Sequence, residues 1–339
     1  MVGLRELISS LRELLDHFYL LIDNGCLAVV VGNMHSSSYI IGYIKYCRVE
    51  ETTQWCRGFE CYERIVKNYD VDEVHGSTHW KTYVPCYDQV IPVIPISRII
   101  HVYDPRDRVV ELLNRVNDRL EYLALNMVLE IVHGTNARGL GITGSLLPRI
   151  HSVEYSDIDF IVYGWRDSIN VIEFIDENPS IFKGFEGNRF REWVSRVAKA
   201  TGLSMNDIRY YYRRWRRGLF RGREYSLIYN DGLPRILDNC IPWITLGSIE
   251  FKASIDGRID ALNYPSIGCI HEWEFIRGVQ PRSDIEYLLS FEALYTPLFY
   301  EGGRCIARGL LQYSPIDDRY RVVVGIRETI NYVKPILWS

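Results

Sequence analysis

The sequence predicts an α+β protein in three parts, on three observations. Residues 18–65 fall into short apolar or alternating runs broken by turn residues. Residues 105–134 and 187–220 carry apolar side chains at helical spacing. From about residue 240, short strands recur at the spacing of a barrel. The expected parts are a small β-rich α+β unit over 1–104, a central domain of a small mixed sheet with helices over 105–235, and a β-barrel-like domain over 236–339. The last could be an oligonucleotide-binding barrel.

A chain of 339 residues can bury a sizeable core. Its formal net charge of −4 gives no global attraction to nucleic acid or anionic membrane, so local clusters must carry any such contact. No apolar run reaches the roughly 18 residues of a transmembrane helix. The charged start, with Leu4, Leu7, Ile8, Leu11 and Leu15 on one helical stripe, lacks the apolar core and cleavage site of a signal peptide. A cytoplasmic protein without a membrane partner is expected. Of the eight cysteines, Cys47, Cys56 and Cys61 lie close together. His79 or Cys86 could complete a zinc set, but no second knuckle exists, so reduced or incidental thiols are expected. An internal disulfide is admissible if the source is a hyperthermophile.

In order, residues 18–22, 26–31, 39–46 and 59–65 read as strands, punctuated by turns at Asp23-Asn-Gly25 and Val31-Gly-Asn33. Residues 84–95 carry three prolines and read as a connector, neither central strand nor helix. Asp104-Pro105 starts a helical pattern that runs through Val109, Leu112, Val116, Leu120, Leu123, Met127 and Ile131 and ends at Gly134. A strand, a loop and a strand follow to Gly164, then a helix around 168–175. Ser204-Met-Asn-Asp207 is a cap for the last helix within 187–220. Residues 224–229 read as a strand, as do 249–255, 272–276, 287–291, 304–312 and 319–324.

The stretch between the first helices holds the chemistry. Eleven residues separate Gly144-Ser145 from Asp157-Ile-Asp159. Strand alternation puts Asp157 and Asp159 on one face, with Ile158 and Phe160 in the core. Adjacent carboxylates repel unless water or a divalent cation screens them, and Mg²⁺ is held by such oxygens together with phosphate. Gly144 lets backbone approach a phosphate, and Ser145 can donate to it. A phosphate cradle facing a metal-binding pair can position a triphosphate and activate an incoming oxygen. Two solvated aspartates after a glycine turn are the plainer alternative; the joint pattern favours chemistry.

Thr143-Gly-Ser-Leu-Leu followed by Ser156-Asp-Ile-Asp-Phe-Ile-Val-Tyr-Gly resembles the signature of the DNA polymerase beta-type nucleotidyltransferase superfamily. The wider chain is similar to archaeal members of it, through Val31-Gly-Asn-Met-His35, Tyr43-Ile-Lys-Tyr46, Val102-Tyr-Asp-Pro105, Trp215-Arg-Arg-Gly-Leu-Phe220 and Arg321-Val-Val-Val-Gly325. The resemblance implies a nucleotidyltransferase core, Mg²⁺ or Mn²⁺, an NTP donor and an acceptor hydroxyl on RNA, DNA, protein or a small molecule. By it, Gly144 and Ser145 contact the triphosphate, and Asp157 and Asp159 bind the metals. Active members add a third acid on a later strand. Glu224 is the first candidate, Glu250 and Asp256 are alternatives, and no third acid is a further option. A third carboxylate within metal-sharing reach would favour an enzyme. Its absence would favour a protein that binds NTP or RNA without turnover.

Residues 209–223 hold seven arginines in fifteen residues. Read as a helix, Arg209, Arg213, Arg216 and Arg217 lie near one face, and Tyr211, Trp215 and Leu219 fall on another as core. Arg213, Arg216 and Arg217 are the expected phosphate contacts. Gly218 and Gly222 would end the helix and turn it into the Glu224 strand. His151 could line the pocket from its loop. Tyr295, Phe299 and Tyr300 could stack bases or simply fill a barrel. No P-loop, G-x-G-x-x-G or Ser-His-Asp arrangement is present.

Overall fold

The computed structural model describes residues 13–67, 71–326 and 331–336. The stripe of Leu4, Leu7, Ile8 and Leu11 lies outside the described residues. The chain is mixed α+β, and three large sheets each draw on one run of sequence.

The first sheet uses β1 (Tyr19–Ile22), β2 (Leu27–Val30), β4 (Tyr39–Val49), β5 (Trp55–Arg57), β6 (Glu60–Arg64), β7 (Lys81–Val84), β8 (Gln89–Pro95) and β9 (Ile99–Tyr103). A short β3 (Met34–His35) lies outside it, and a helix, α1 (Val71–Gly76), precedes β7. The strand order is β5-β6-β4-β2-β1-β9, with β8 joined to β4 and β7. Gly25, at φ +80°, closes the β1–β2 turn. The expected connector is corrected here, because its second half is β8. That strand pairs its first half with β7 and its last residues with β4, so Pro92 and Pro95 sit at ladder ends. A missing N–H costs little there.

Asp104 caps α2 (Pro105–Asn114), accepting from the Arg106 amide at 2.8 Å. The long helical pattern is two helices. Asp118 opens α3 (Arg119–Thr135) by accepting from the Leu120 and Glu121 amides, and Asn136 ends it in the left-handed region. Then come β10 (Leu140–Ile142), β11 (Ile158–Tyr163), α4 (Trp165–Glu177), β12 (Phe182–Lys183), α5 (Gly187–Thr201), α6 (Met205–Tyr211), β13 (Arg217–Phe220) and β14 (Arg223–Asn230). The sheet order is β10-β11-β14-β13-β12, and β11 and β14 run parallel. Apolar residues of α3, α4, β11 and β14 fill one core, with Trp215 fully buried in it.

Ser204 and Asp207 form the expected capping box of α6. The helix stops at Tyr211, however, and this corrects the helical reading of the arginine stretch. The Arg213 guanidinium donates to the carbonyls of Tyr210 and Tyr212 and so takes up the helix end. Residues 217–220 alternate between half-buried and buried, as a strand does. Gly218 lies inside β13, where a Cβ would meet the Lys183 carbonyl oxygen at 2.5 Å. Arg221 and Gly222 both have positive φ, the pairing of a two-residue hairpin turn.

The short β15 (Arg235–Ile236) pairs with β3. The last sheet holds β16 (Ile244–Asp256), β17 (Ser266–Gly278), β18 (Ile285–Ser290), β19 (Gly303–Ser314), β20 (Arg319–Val324) and β21 (Tyr332–Pro335). Its order is β16-β17-β18-β20-β19-β21, and β16 also pairs with β19. That pairing closes a five-stranded barrel, as the strand spacing predicts. Helix α7 (Thr296–Glu301) carries Phe299 into its core beside Tyr295.

The cysteine expectation is also corrected. Cys26–Cys47, Cys56–Cys61 and Cys86–Cys240 are disulfides. Adjacent strands bring the first two pairs together, at Cα separations of 4.0 and 4.1 Å. Cys47, Cys56, Cys61 and Cys86 are therefore not a zinc set.

Candidate functional site

The two halves of the central motif touch. Gly144 opens a 3₁₀ turn over Gly144–Leu146 with φ +64°. A Cβ there would stand 2.1 Å from Asp159 Oδ2, so only glycine lets this turn lie against the carboxylate. The Thr143 amide donates to the Asp159 carbonyl at 2.9 Å, fixing the approach. Ser145 Oγ bonds Ser156 Oγ at 3.1 Å, and the Ser152 amide donates to Ser156 Oγ at 3.0 Å. Arg223 donates to the carbonyls of Val153, Glu154 and Ser156. The loop from Ser145 to Asp157 is thus tied down along its length.

Asp159 sits on β11 opposite Ser226 of β14, which in turn lies opposite Arg217 of β13. These three form a row across one face of the sheet. Ser226 Oγ donates to Asp159 Oδ1. Asp157 precedes β11 and is half-buried. The Asp159 charge, then burial, push its carboxyl up to about 6, against the pull of Arg217, its own backbone amide and Lys45. Two acids are therefore crowded where the protein's own cations do not fully offset them.

Glu224 lies on the same face as Ser226 by strand alternation. Ile158 pairs with Tyr225, so continuing the register one step places Glu224 beside Asp157. Its carboxylate turns instead to Arg189, at 2.9 Å. Asp157, Asp159 and Glu224 do not form a cluster with ligand atoms within 4.8 Å of one another. Glu250 is held on the barrel by Arg277 at 2.5 Å and Tyr332 at 2.6 Å, and Asp256 lies opposite Cys269. Neither is brought to the pair.

The arginines divide. Arg213 is committed to Glu301 and two carbonyls. Arg217 stands in the row with Asp159. Arg216 precedes it, and burial lowers its guanidinium to about 10, with Tyr229 opposing and Arg217 adding to the effect. Neither Arg216 nor Arg217 makes a side-chain ion pair among the described residues.

The metal-like cluster among the described residues is Asp118, Glu121 and His151. Each carboxylate there already has partners. Asp118 accepts from two helix amides and lies 2.8 Å from His151 Nε2, while Glu121 accepts from Arg108 and Asn117. The cluster ties the loop to α3, and His151 belongs to it.

Two features escaped the sequence reading. Lys45, on the first sheet, is among the charges acting on Asp157; a lone lysine within the apolar run 39–46 was its only signal. A cavity of about 630 Å³ opens at the β12 edge of the same sheet, lined by Lys183, Phe185, Tyr212 and Arg214. Lys183 pairs with Leu219, two residues after Arg217, which places the cavity there. No protein-family model matches the chain, and neither a curated protein nor a solved structure does.

Proposed function

We propose that the chain is a metal-dependent nucleotidyltransferase, moving a nucleoside monophosphate from an NTP to an acceptor hydroxyl. The observation that carries this reading is the fit of Gly144 against Asp159. A residue without a side chain holds a phosphate-sized turn beside two crowded acids. The residues suit a divalent cation: Asp157 and Asp159 would hold Mg²⁺ or Mn²⁺, and their mutual repulsion is the charge such an ion relieves. When bound, the ion neutralises the triphosphate and activates the attacking oxygen. Ser145 orients the phosphates, Arg217 and Arg216 stabilise charge on them, and Ser226 fixes the Asp159 carboxylate. Glu224 is the third acid. Its pair with Arg189 is partly exposed, at 29% and 45% of side-chain surface. Such pairs contribute roughly 0–1 kcal/mol and would yield to a divalent cation.

One observation favours a second reading, an NTP-binding protein without turnover. Ser226, not a carboxylate, stands directly across from Asp159, and Glu224 points elsewhere.

The test is label transfer from each α-labelled NTP, with Mg²⁺ or Mn²⁺, into RNA, protein or small-molecule fractions of an extract. Transfer that disappears in Asp157→Ala and Asp159→Ala, with both variants folded, is expected. Transfer retained in those variants would sink the assignment. Tight NTP binding with no transfer would select the second reading.

A further inference from the structure

Lys45 occupies an irregularity in β4. Leu27 of β2 pairs with Tyr46 and Ala28 pairs with Ile44, so Lys45 is the extra residue of a β-bulge. A bulge re-aims its side chain out of the regular alternation, and bulges are frequent beside functional sites. The neighbours Ile40, Ile41 and Ile44 are buried, and Lys45 itself is 7% exposed. Its ammonium lies 5.6 Å from the Tyr19 ring centre and 5.7 Å from that of Tyr46. Tyrosine faces attract a cation and limit where it can point.

The same two tyrosines share a core cluster with Leu147 and Ile150. Those residues belong to the loop that leaves Ser145 and returns at Asp157. Lys45 thus lies over rings of the cluster that includes that loop, and it is among the charges acting on Asp157. Arg217 approaches the same acids from β13, in a different sheet.

We propose that Lys45 is a phosphate-binding residue of this site, supplied by the N-terminal sheet to the triphosphate of a metal-bound NTP; this rests on the NTP reading above. An ammonium is a compact point charge with three donors, suited to a phosphate held by a metal. The role gives the N-terminal unit a part in the site, as the source of a cation beside Arg217 of the central sheet.

The experiment measures binding of Mg²⁺-tripolyphosphate to the full chain by calorimetry, in the unaltered protein, Lys45→Met and Lys45→Arg. Lys45→Met should bind about 10- to 100-fold more weakly, the loss of one charged hydrogen bond. Lys45→Arg should recover most of the affinity. The melting temperature of Lys45→Met, read beside the affinity, shows whether the variant is folded. Undiminished binding in Lys45→Met overturns the inference and leaves the NTP reading intact. No binding by the unaltered protein, with Mg²⁺ or Mn²⁺, overturns that reading and this inference with it. Should Lys45→Met fail to fold, the ¹⁵Nζ lysine signal missing from the Lys45→Arg spectrum identifies Lys45. That signal should shift when Mg²⁺-tripolyphosphate binds; a signal that stays put while the ligand binds overturns the inference.

Discussion

Asp157 holds a conflict that the folded chain tolerates. Its carboxyl is raised by Asp159 and by burial, so keeping it ionised beside its neighbour opposes folding. A group kept under such strain is expected to serve a ligand rather than stability. Asp157→Asn should therefore leave the melting temperature unchanged or raise it by a few degrees, while metal-dependent NTP binding falls at least tenfold. Thermal scans with and without Mg²⁺-NTP read both effects, and a variant that melts lower and still binds would contradict them. The spacing of the two aspartates was legible from strand alternation. That Ser226 bonds one of them was not, because β11 and β14 meet only after three helices intervene.

The Gly144–Leu146 turn is the element on which the site depends. Gly144 has positive φ and lies against Asp159, so a side chain there meets both backbone strain and a carboxylate. Gly144→Ala should cost roughly 1–3 kcal/mol by denaturant titration. It should also reduce triphosphate binding more than any surface glycine substitution, for instance at Gly58, whose added Cβ meets nothing within 4 Å. Equal stability of Gly144→Ala and the unaltered chain would mean that the turn moves freely. The arginine stretch shows where periodicity misleads. Arg213, Arg216 and Arg217 share a helical face on paper, yet α6 ends at Tyr211 and β13 begins at Arg217. The signal against a helix was local: Gly218 and the Arg221-Gly222 turn belong to a hairpin.

Taken as one body, the chain is cross-linked between segments far apart in sequence. Cys86–Cys240 closes a loop with a sequence separation of 154, joining the first sheet to the segment that enters the barrel. In the chain-entropy picture such a loop contributes about 4–5 kcal/mol. Cys86→Ser/Cys240→Ser should lower the melting temperature by several degrees, more than Cys56→Ser/Cys61→Ser, whose loop is short. Equal effects would show that the long bridge is not formed.

Stability against pH carries a second whole-chain signature. Burial lowers the His35 imidazole to about 4 from 6.5, with Asp16 and a Gly32 hydrogen bond opposing. The unfolded chain takes that proton first, so this contribution is present above pH 6.5 and is lost as pH falls toward 4. Burial raises Glu292 to about 7 from 4.5, so its contribution is present below pH 4.5 and is lost as pH rises through 7. Each amounts to an order of 3 kcal/mol at most. The two slopes oppose one another between 4.5 and 6.5. Glu292→Gln should unmask a rise in stability with pH across that window, and a flat profile in the variant would contradict the assignment.

The barrel strands, the caps at Asp104 and Ser204, and the spacing that sets Asp157 beside Asp159 were legible in the chain. Each depends on neighbours a few residues apart, where backbone geometry alone decides which side chains share a face. The zinc-like cysteines, the proline strand β8, the commitment of Arg213 to Glu301 and the electrostatic reach of Lys45 to Asp157 were decided only by the fold. In each, the deciding partner lies on another element, and packing selects one partner among many of the same chemical type.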